Sequence, residues 1–219
     1  MCHARSVILF DLDGTLTDSA PGIIACIEYA LDDFGIERPS AETMQTFLGP
    51  PLYDTFGGHF GMSEDDVHRA VAKYRQRYHD VGLFENNVYA GVPEMLAVVS
   101  ASEPVAVATS KPTYSATRIL EHFDLAQYFD VIGGSELDGT RIHKEQVVAY
   151  SLGEMRGRGV ASAPVMVGDR EHDVLGAATH DVPCIGVMWG YGSREELESA
   201  GARLVVDSVA ELQDLLLAR

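Results

Sequence analysis

The chain has 219 residues, of which 46% are hydrophobic and 22% charged, with a formal net charge of −17. That length suits one packed domain, or one domain with a small insertion. Such acidity excludes a nucleic-acid binder that displaces counterions with a basic face, and no run of Lys or Arg offers a patch for a membrane surface.

The first element is the apolar run Val7–Phe10, a predicted buried strand. It ends in Asp11-Leu12-Asp13-Gly14-Thr15. From about Ser19 to His79 the chain reads as helices. Ile23, Ile24, Ile27, Leu31 and Phe34 repeat with helical period, and Gly35 is a stop signal. Ser63 with Asp66 three residues on starts another helix, which carries Val67, Ala70, Val71, Tyr74 and Tyr78 on one side. No convincing strand is expected between the first strand and Val105–Ala108. Further strands are predicted at Val131–Ile132, Val165–Val167, Cys184–Met188 and Leu204–Val206. Helices are predicted at Thr113–Phe123, Lys144–Arg156, Glu171–Thr179 and Val209–Leu217. Continuous apolar strands alternating with helices predict a doubly wound parallel α/β sheet of Rossmann type, with both faces covered. The expected division is a core of residues 1–16 and 85–219 with an inserted α-helical cap at 17–84.

Three strand ends carry the chemistry. Alternation along an extended segment lets Asp11 and Asp13 lean the same way, and Gly14 lets the backbone turn away. Two carboxylates that close repel each other, a cost that a divalent cation removes. Gly168-Asp169-Arg170-Glu171-His172-Asp173 places a second acidic cluster after a buried strand, with Asp169 and Asp173 one helical turn apart. Such a set of hard oxygens suits Mg²⁺. Thr109-Ser110-Lys111 ends another strand and offers hydroxyls and N–H groups to phosphate oxygens. An acidic protein repels an anionic substrate at long range, so a phosphate site needs its own cation. Lys144, opening a helix, is the candidate, with Lys111 as its rival.

Taken alone, Asp11 and Asp13 could be an Asx-type turn. Glu171 and His172 sit among the carboxylates without a required role. Ser110 reads as a helix cap, Trp189-Gly190-Tyr191-Gly192 as a glycine-rich loop, and Gly49-Pro50-Pro51 as a rigid turn between helical stretches. Cys2, Cys26 and Cys184 are scattered, which argues against a disulfide framework and for a reducing compartment. With a short polar N-terminus and no apolar run of membrane-spanning length, a cytoplasmic protein is expected.

In these motifs and their order the chain resembles the haloacid-dehalogenase superfamily. The likeness is to its phosphatase branch, with phosphoglycolate-phosphatase-like and 5′-nucleotidase-like members that carry a helical cap. The resemblance implies a Mg²⁺-dependent phosphomonoester hydrolase acting on a small soluble phosphate ester. In it Asp11 would be the nucleophile that forms an aspartyl-phosphate, and Asp13 the general acid and then base. Thr109 would bind the transferring group and Lys144 would neutralise it. Asp11, Asp13 and Asp169 would hold the metal, with Gly14, Thr15, Ser110, Gly168 and Asp173 in support. The helical insertion resembles a mobile cap. The dehalogenating branch lacks an aspartate at the position of Asp13, so Asp13 points to phosphoryl transfer. A sugar phosphomutase of the same superfamily and a receiver-like phospho-accepting module are the alternatives. A receiver has no helical insertion after its first strand.

Overall fold

A computed structural model describes residues 6–49, 52–160 and 163–218. In chain order the elements begin with β1 (Ile8–Phe10), β2 (Thr17–Asp18), α1 (Ala20–Asp33), α2 (Ala41–Gln45), α3 (Glu64–Arg77) and β3 (Asn87–Val88). There follow α4 (Val92–Ser102), β4 (Val105–Pro112), α5 (Thr113–His122), β5 (Val131–Ser135) and α6 (Lys144–Gly157). The chain closes with β6 (Val165–Gly168), α7 (Glu171–Ala178), β7 (Cys184–Val187), α8 (Arg194–Ala200), β8 (Leu204–Val206) and α9 (Val209–Leu217). It divides into two compact units, one running to Asp18 and resuming at Val88, the other spanning Ser19–Asn87.

The first unit is built on a six-stranded sheet of order β5-β4-β1-β6-β7-β8. Every neighbouring pair is parallel. β1 is central: Ile8, Leu9 and Phe10 lie beside Val105, Ala106 and Val107 of β4 on one side and Val165, Met166 and Val167 of β6 on the other. All three β1 residues are fully buried, as a strand covered on both faces requires. One face presents Leu9, Ala106, Met166 and Cys184 to Val147 and Val148 of α6 and Val174 of α7. After β1 the chain builds toward β5 at one edge, then returns to β6 and builds toward β8 at the other. The strand order therefore reverses between β1 and β6. In such sheets the crevice outside the carboxyl ends at that point is where ligands bind.

Two helices lie where none was predicted. α4 follows Gly91, whose φ of +86° suits glycine, and begins with proline in its first turn. Its Val92, Met95, Leu96 and Val99 are buried with helical spacing. α8 is short and buries Leu197 alone. The interval expected to carry no strand does contain β2 and β3, of two residues each. Near them Tyr89 N donates to Leu16 O at 3.2 Å, closing the core where the chain leaves and re-enters it.

The second unit is helical. α1 and α3 bury Cys26, Ile27, Ala30 and Leu31 with Val67, Ala70, Val71 and Tyr74, joined by Phe47 and Phe56. Ser40 caps α2 and Ser63 caps α3, each side-chain oxygen accepting from the backbone N–H three residues on. Arg77 grips Glu85 through two hydrogen bonds of 2.6 and 2.8 Å, a bidentate pair at the end of α3. Of the Gly49-Pro50-Pro51 turn, Pro50 and Pro51 lie outside the described residues, as does Cys2. Cys26 and Cys184 are free and buried. Among the described residues, no helix is long and apolar enough to cross a membrane.

Candidate active site

The carboxyl ends of β1, β4 and β6 converge with the start of α6. Asp11 follows β1 directly, and its N–H donates to Val167 O at 2.9 Å, which ties it to β6. Asp169 follows β6 and is fully buried, and Asp173, in the first turn of α7, is almost as deep. Asp11, Asp169 and Asp173 each present a carboxylate oxygen within 4.8 Å of the others. Lys144, the first residue of α6, reaches into this group. Its Nζ lies 2.8 Å from Asp11 Oδ1, 2.7 Å from Asp173 Oδ1 and 3.1 Å from Ala108 O.

Each carboxylate is held by its neighbours. Asp169 Oδ1 accepts from Thr15 Oγ1 at 3.1 Å, and Oδ2 accepts from Tyr191 N at 2.8 Å. Asp173 Oδ2 accepts from the Asp169 and Arg170 amides, both at 3.1 Å, and so caps the helix that carries it. Thr109 is buried within β4 and hydrogen-bonds Asp11. β4 shifts register against β5 between Ala108 and Pro112, an irregularity that re-aims side chains there.

Electrostatically the cluster is under-neutralised. Burial is the main force pushing the Asp11 carboxyl above its ordinary range, and the Asp173 charge adds to it against Lys144 and the Thr109 hydrogen bond. Burial also drives Asp169 well above that range, reinforced by Asp173 and Asp11. For Lys144 burial works downward, but the Asp11 and Asp173 carboxylates more than offset it and hold the ammonium charged. Three buried carboxylates facing one buried ammonium are costly unless a further positive charge joins them. Their hard oxygen donors suit a divalent ion of the Mg²⁺ class, so the residues present fit a metal.

Asp13 does not bring its side chain into that trio: its Oδ2 pairs with Lys111 Nζ at 2.9 Å. Ser110 is exposed. His172 is exposed too, and Glu171 contributes a backbone N–H, which donates to Glu196 Oε1 at 2.9 Å. Gly14 has φ +83°, and a Cβ there would run into the Asp169 carboxylate. Gly168 leaves room for the Asp173 side chain in the same way, and Gly176 for the stem of Lys144.

The loop after β7 does more than a glycine-rich connector would. Besides the Tyr191 amide on Asp169, Trp189 Nε1 donates to Thr15 O at 3.0 Å and Tyr191 Oη to Asp18 Oδ1 at 3.1 Å. A Cβ on Gly190 would overlap Asp169 and the Gly14 carbonyl. Glu196 on α8 is the other unanticipated contributor, accepting from Arg170 Nε at 2.7 Å as well as from Glu171 N. Glycines alternating with the two aromatic residues were a visible sign of close approach after β7, whereas nothing local to Glu196 points to its partner.

The chain matches the family profile described as haloacid dehalogenase-like hydrolase over residues 8–187. It is 43% identical to a Pseudomonas aeruginosa protein named 5′-nucleotidase, over 95% of this chain and 94% of that one. It is 38% identical to a Mycobacterium tuberculosis protein named tyrosine-protein kinase PtkA, over 98% of this chain and 73% of that one. A crystal structure described as a predicted phosphatase from Clostridium acetobutylicum superposes with a TM-score of 0.87 at 42% identity, covering 99% of this chain and 100% of that one.

Proposed function

The chain belongs to the haloacid dehalogenase-like hydrolase family and is a phosphatase, and we propose that it hydrolyses a small soluble phosphomonoester through an aspartyl-phosphate on Asp11. The observation that carries this reading is the buried contact of Lys144 with Asp11 beside Asp169 and Asp173. A carboxylate nucleophile splits one difficult displacement into two easier ones. The phosphoryl group it attacks is anionic, so a fixed ammonium at that carboxylate lowers the charge cost of approach.

The residues supply the following steps. Asp11 bonds to phosphorus as the ester P–O bond breaks, and Asp13 gives a proton to the departing oxygen. Asp13 then takes a proton from water as the water oxygen bonds to phosphorus and the Asp11–phosphorus bond breaks. Thr109 and the nearby backbone N–H groups orient the phosphoryl oxygens, and Lys144 stays protonated throughout. Mg²⁺ held by Asp11 and Asp169, with Asp173 behind them, would neutralise phosphoryl charge that Lys144 alone cannot. Phosphate monoesters hydrolyse so slowly unaided that catalysis must remove on the order of 20 kcal/mol of barrier.

For substrate, a nucleoside monophosphate ranks first, since the relative of that name matches along nearly its whole length. A reducing, cytoplasmic setting accords with the free Cys26 and Cys184. The test is phosphate release, with Mg²⁺, from nucleoside monophosphates, 2-phosphoglycolate, hexose phosphates, an aryl phosphate and phosphotyrosine, against Asp11→Asn. Turnover by the wild type with none by the variant is expected. Equal rates for the two would refute the assignment.

A further inference from the structure

A second buried cation at the site has no part in these steps. The Lys111 side chain is 7% exposed, and its Nζ lies 2.9 Å from Asp13 Oδ2. The other oxygen of that carboxyl, Oδ1, is buried and accepts no hydrogen bond from the described residues. Asp13 thus has one anchored oxygen and one that is buried and unpaired. The backbone under Lys111 is fixed from two directions. Lys111 N donates to Thr109 Oγ1 at 3.2 Å, and on β5 a Cβ at Gly134 would press on Lys111 O at 2.5 Å. Confining a lysine side chain this way costs rotamer entropy that a solvated lysine would keep.

We propose that Lys111 is a positioning residue for the proton-transfer step: it anchors Oδ2 of Asp13 and so aims Oδ1 at the departing oxygen. The proposal rests on the role given to Asp13 above. A carboxyl turns about a soft, two-fold torsion, so without an anchor either oxygen could face the ester, in a range of directions. With Oδ2 held, the proton leaves Oδ1 as the P–O bond breaks, and Oδ1 later receives one from water. Lys111 keeps its own protons in both steps.

The dependence on leaving group separates this role from a structural or phosphate-binding one. A 4-nitrophenolate departs without a proton, whereas phenolate and an alkoxide need one. kcat/KM covers the steps through the first P–O cleavage, so later hydrolysis of the aspartyl-phosphate does not blur it. The experiment measures kcat/KM with saturating Mg²⁺ on 4-nitrophenyl, phenyl and alkyl phosphates for wild type, Lys111→Met, Lys111→Arg and Asp13→Asn. General acid catalysis contributes roughly 10²–10⁴-fold, so Lys111→Met should lose about 3-fold or less on 4-nitrophenyl phosphate but about 10–100-fold on the alkyl phosphate. Lys111→Arg, which can still pair with Oδ2, should recover most of that. The ratio between substrates is internal to each protein, so partial unfolding cancels. A uniform loss in Lys111→Met, or none, with a steep series in Asp13→Asn, overturns the role of Lys111 alone. A flat series in Asp13→Asn overturns the acid role of Asp13 and this proposal with it.

Discussion

Lys144 Nζ and Asp11 Oδ1 stand 2.8 Å apart although 133 positions separate them in sequence. The fold makes that contact by ending β1 and starting α6 at the same edge of the sheet, and Gly176 of α7 leaves the space through which the lysine stem passes. The same ammonium touches Asp173 at 2.7 Å, so one cation serves two carboxylates.

Removing it should therefore leave two buried acids without their partner. Lys144→Met is expected to destabilise the metal-free protein by about 3–5 kcal/mol, the range for breaking a buried pair. Asp173→Asn in the same chain should restore part of the loss, with a coupling of about 0.5–3 kcal/mol. Urea unfolding of the two single variants and the double variant in chelator gives the cycle, and strict additivity would contradict the shared contact.

The raised Asp169 carboxyl makes a pH prediction. A group whose pKa is higher folded than unfolded binds more protons in the folded state, so its contribution falls as pH rises through the folded value. In chelator, Asp169→Asn should thus melt higher than wild type at neutral pH, and the gap should shrink toward pH 4. For a chain of this size each 1 kcal/mol moves the midpoint by about 2–4 °C. Thr15 and Tyr191 can still bond an amide oriented to suit them. A gap that grows toward acid would reverse the sign and refute the burial argument.

Metal should act on the same balance. Mg²⁺ at 100 times its dissociation constant should stabilise the wild type by about 2.7 kcal/mol, the linkage value for one site. Asp169→Asn should lose most of that gain. Calorimetric titration with Mg²⁺ checks affinity without reference to turnover, and equal affinity in the variant would remove Asp169 from the metal site.

Gly190 gives a prediction with no chemistry of its own. Gly190→Ala forces a methyl group into Asp169 and the Gly14 carbonyl. Overpacking of that kind costs about 1–3 kcal/mol, and displacing a positioned group by about 1 Å can cost on the order of 100-fold in rate. kcat should fall in the folded variant, and Mg²⁺ affinity should fall with it. Unchanged values for both would show that the loop after β7 is a connector only.

The contrast between Gly190 and the motif carboxylates marks how far the sequence is legible. Ile8–Phe10, Val165–Gly168 and Cys184–Val187 are readable because a strand buried on both faces must be apolar throughout. Asp11 and Asp169 stand out because a carboxylate just past such a strand is anomalous. Ser63 announces its helix through capping chemistry that is local to a few residues. The Lys111–Asp13 pair and the Tyr191 amide on Asp169 are different, since each depends on where separate strand ends meet in space. α8 was hidden because it buries one leucine in a charged stretch, and the use of Glu196 as a brace for Arg170 leaves no trace in its own neighbourhood. α4 was missed although Val92, Met95, Leu96 and Val99 have helical spacing, because it falls in an interval without strands to frame it.

The most direct test of the central claim is chemical trapping of the intermediate. An acyl phosphate is reduced by borohydride, which would convert a phosphorylated Asp11 to homoserine. The enzyme would be quenched during turnover of its best phosphomonoester, reduced and sequenced by peptide mass spectrometry. Homoserine at position 11, absent without substrate and absent from Lys144→Met at matched time, is the expected result. Sustained phosphate release with Asp11 unmodified, or with the label on another residue, would contradict the account.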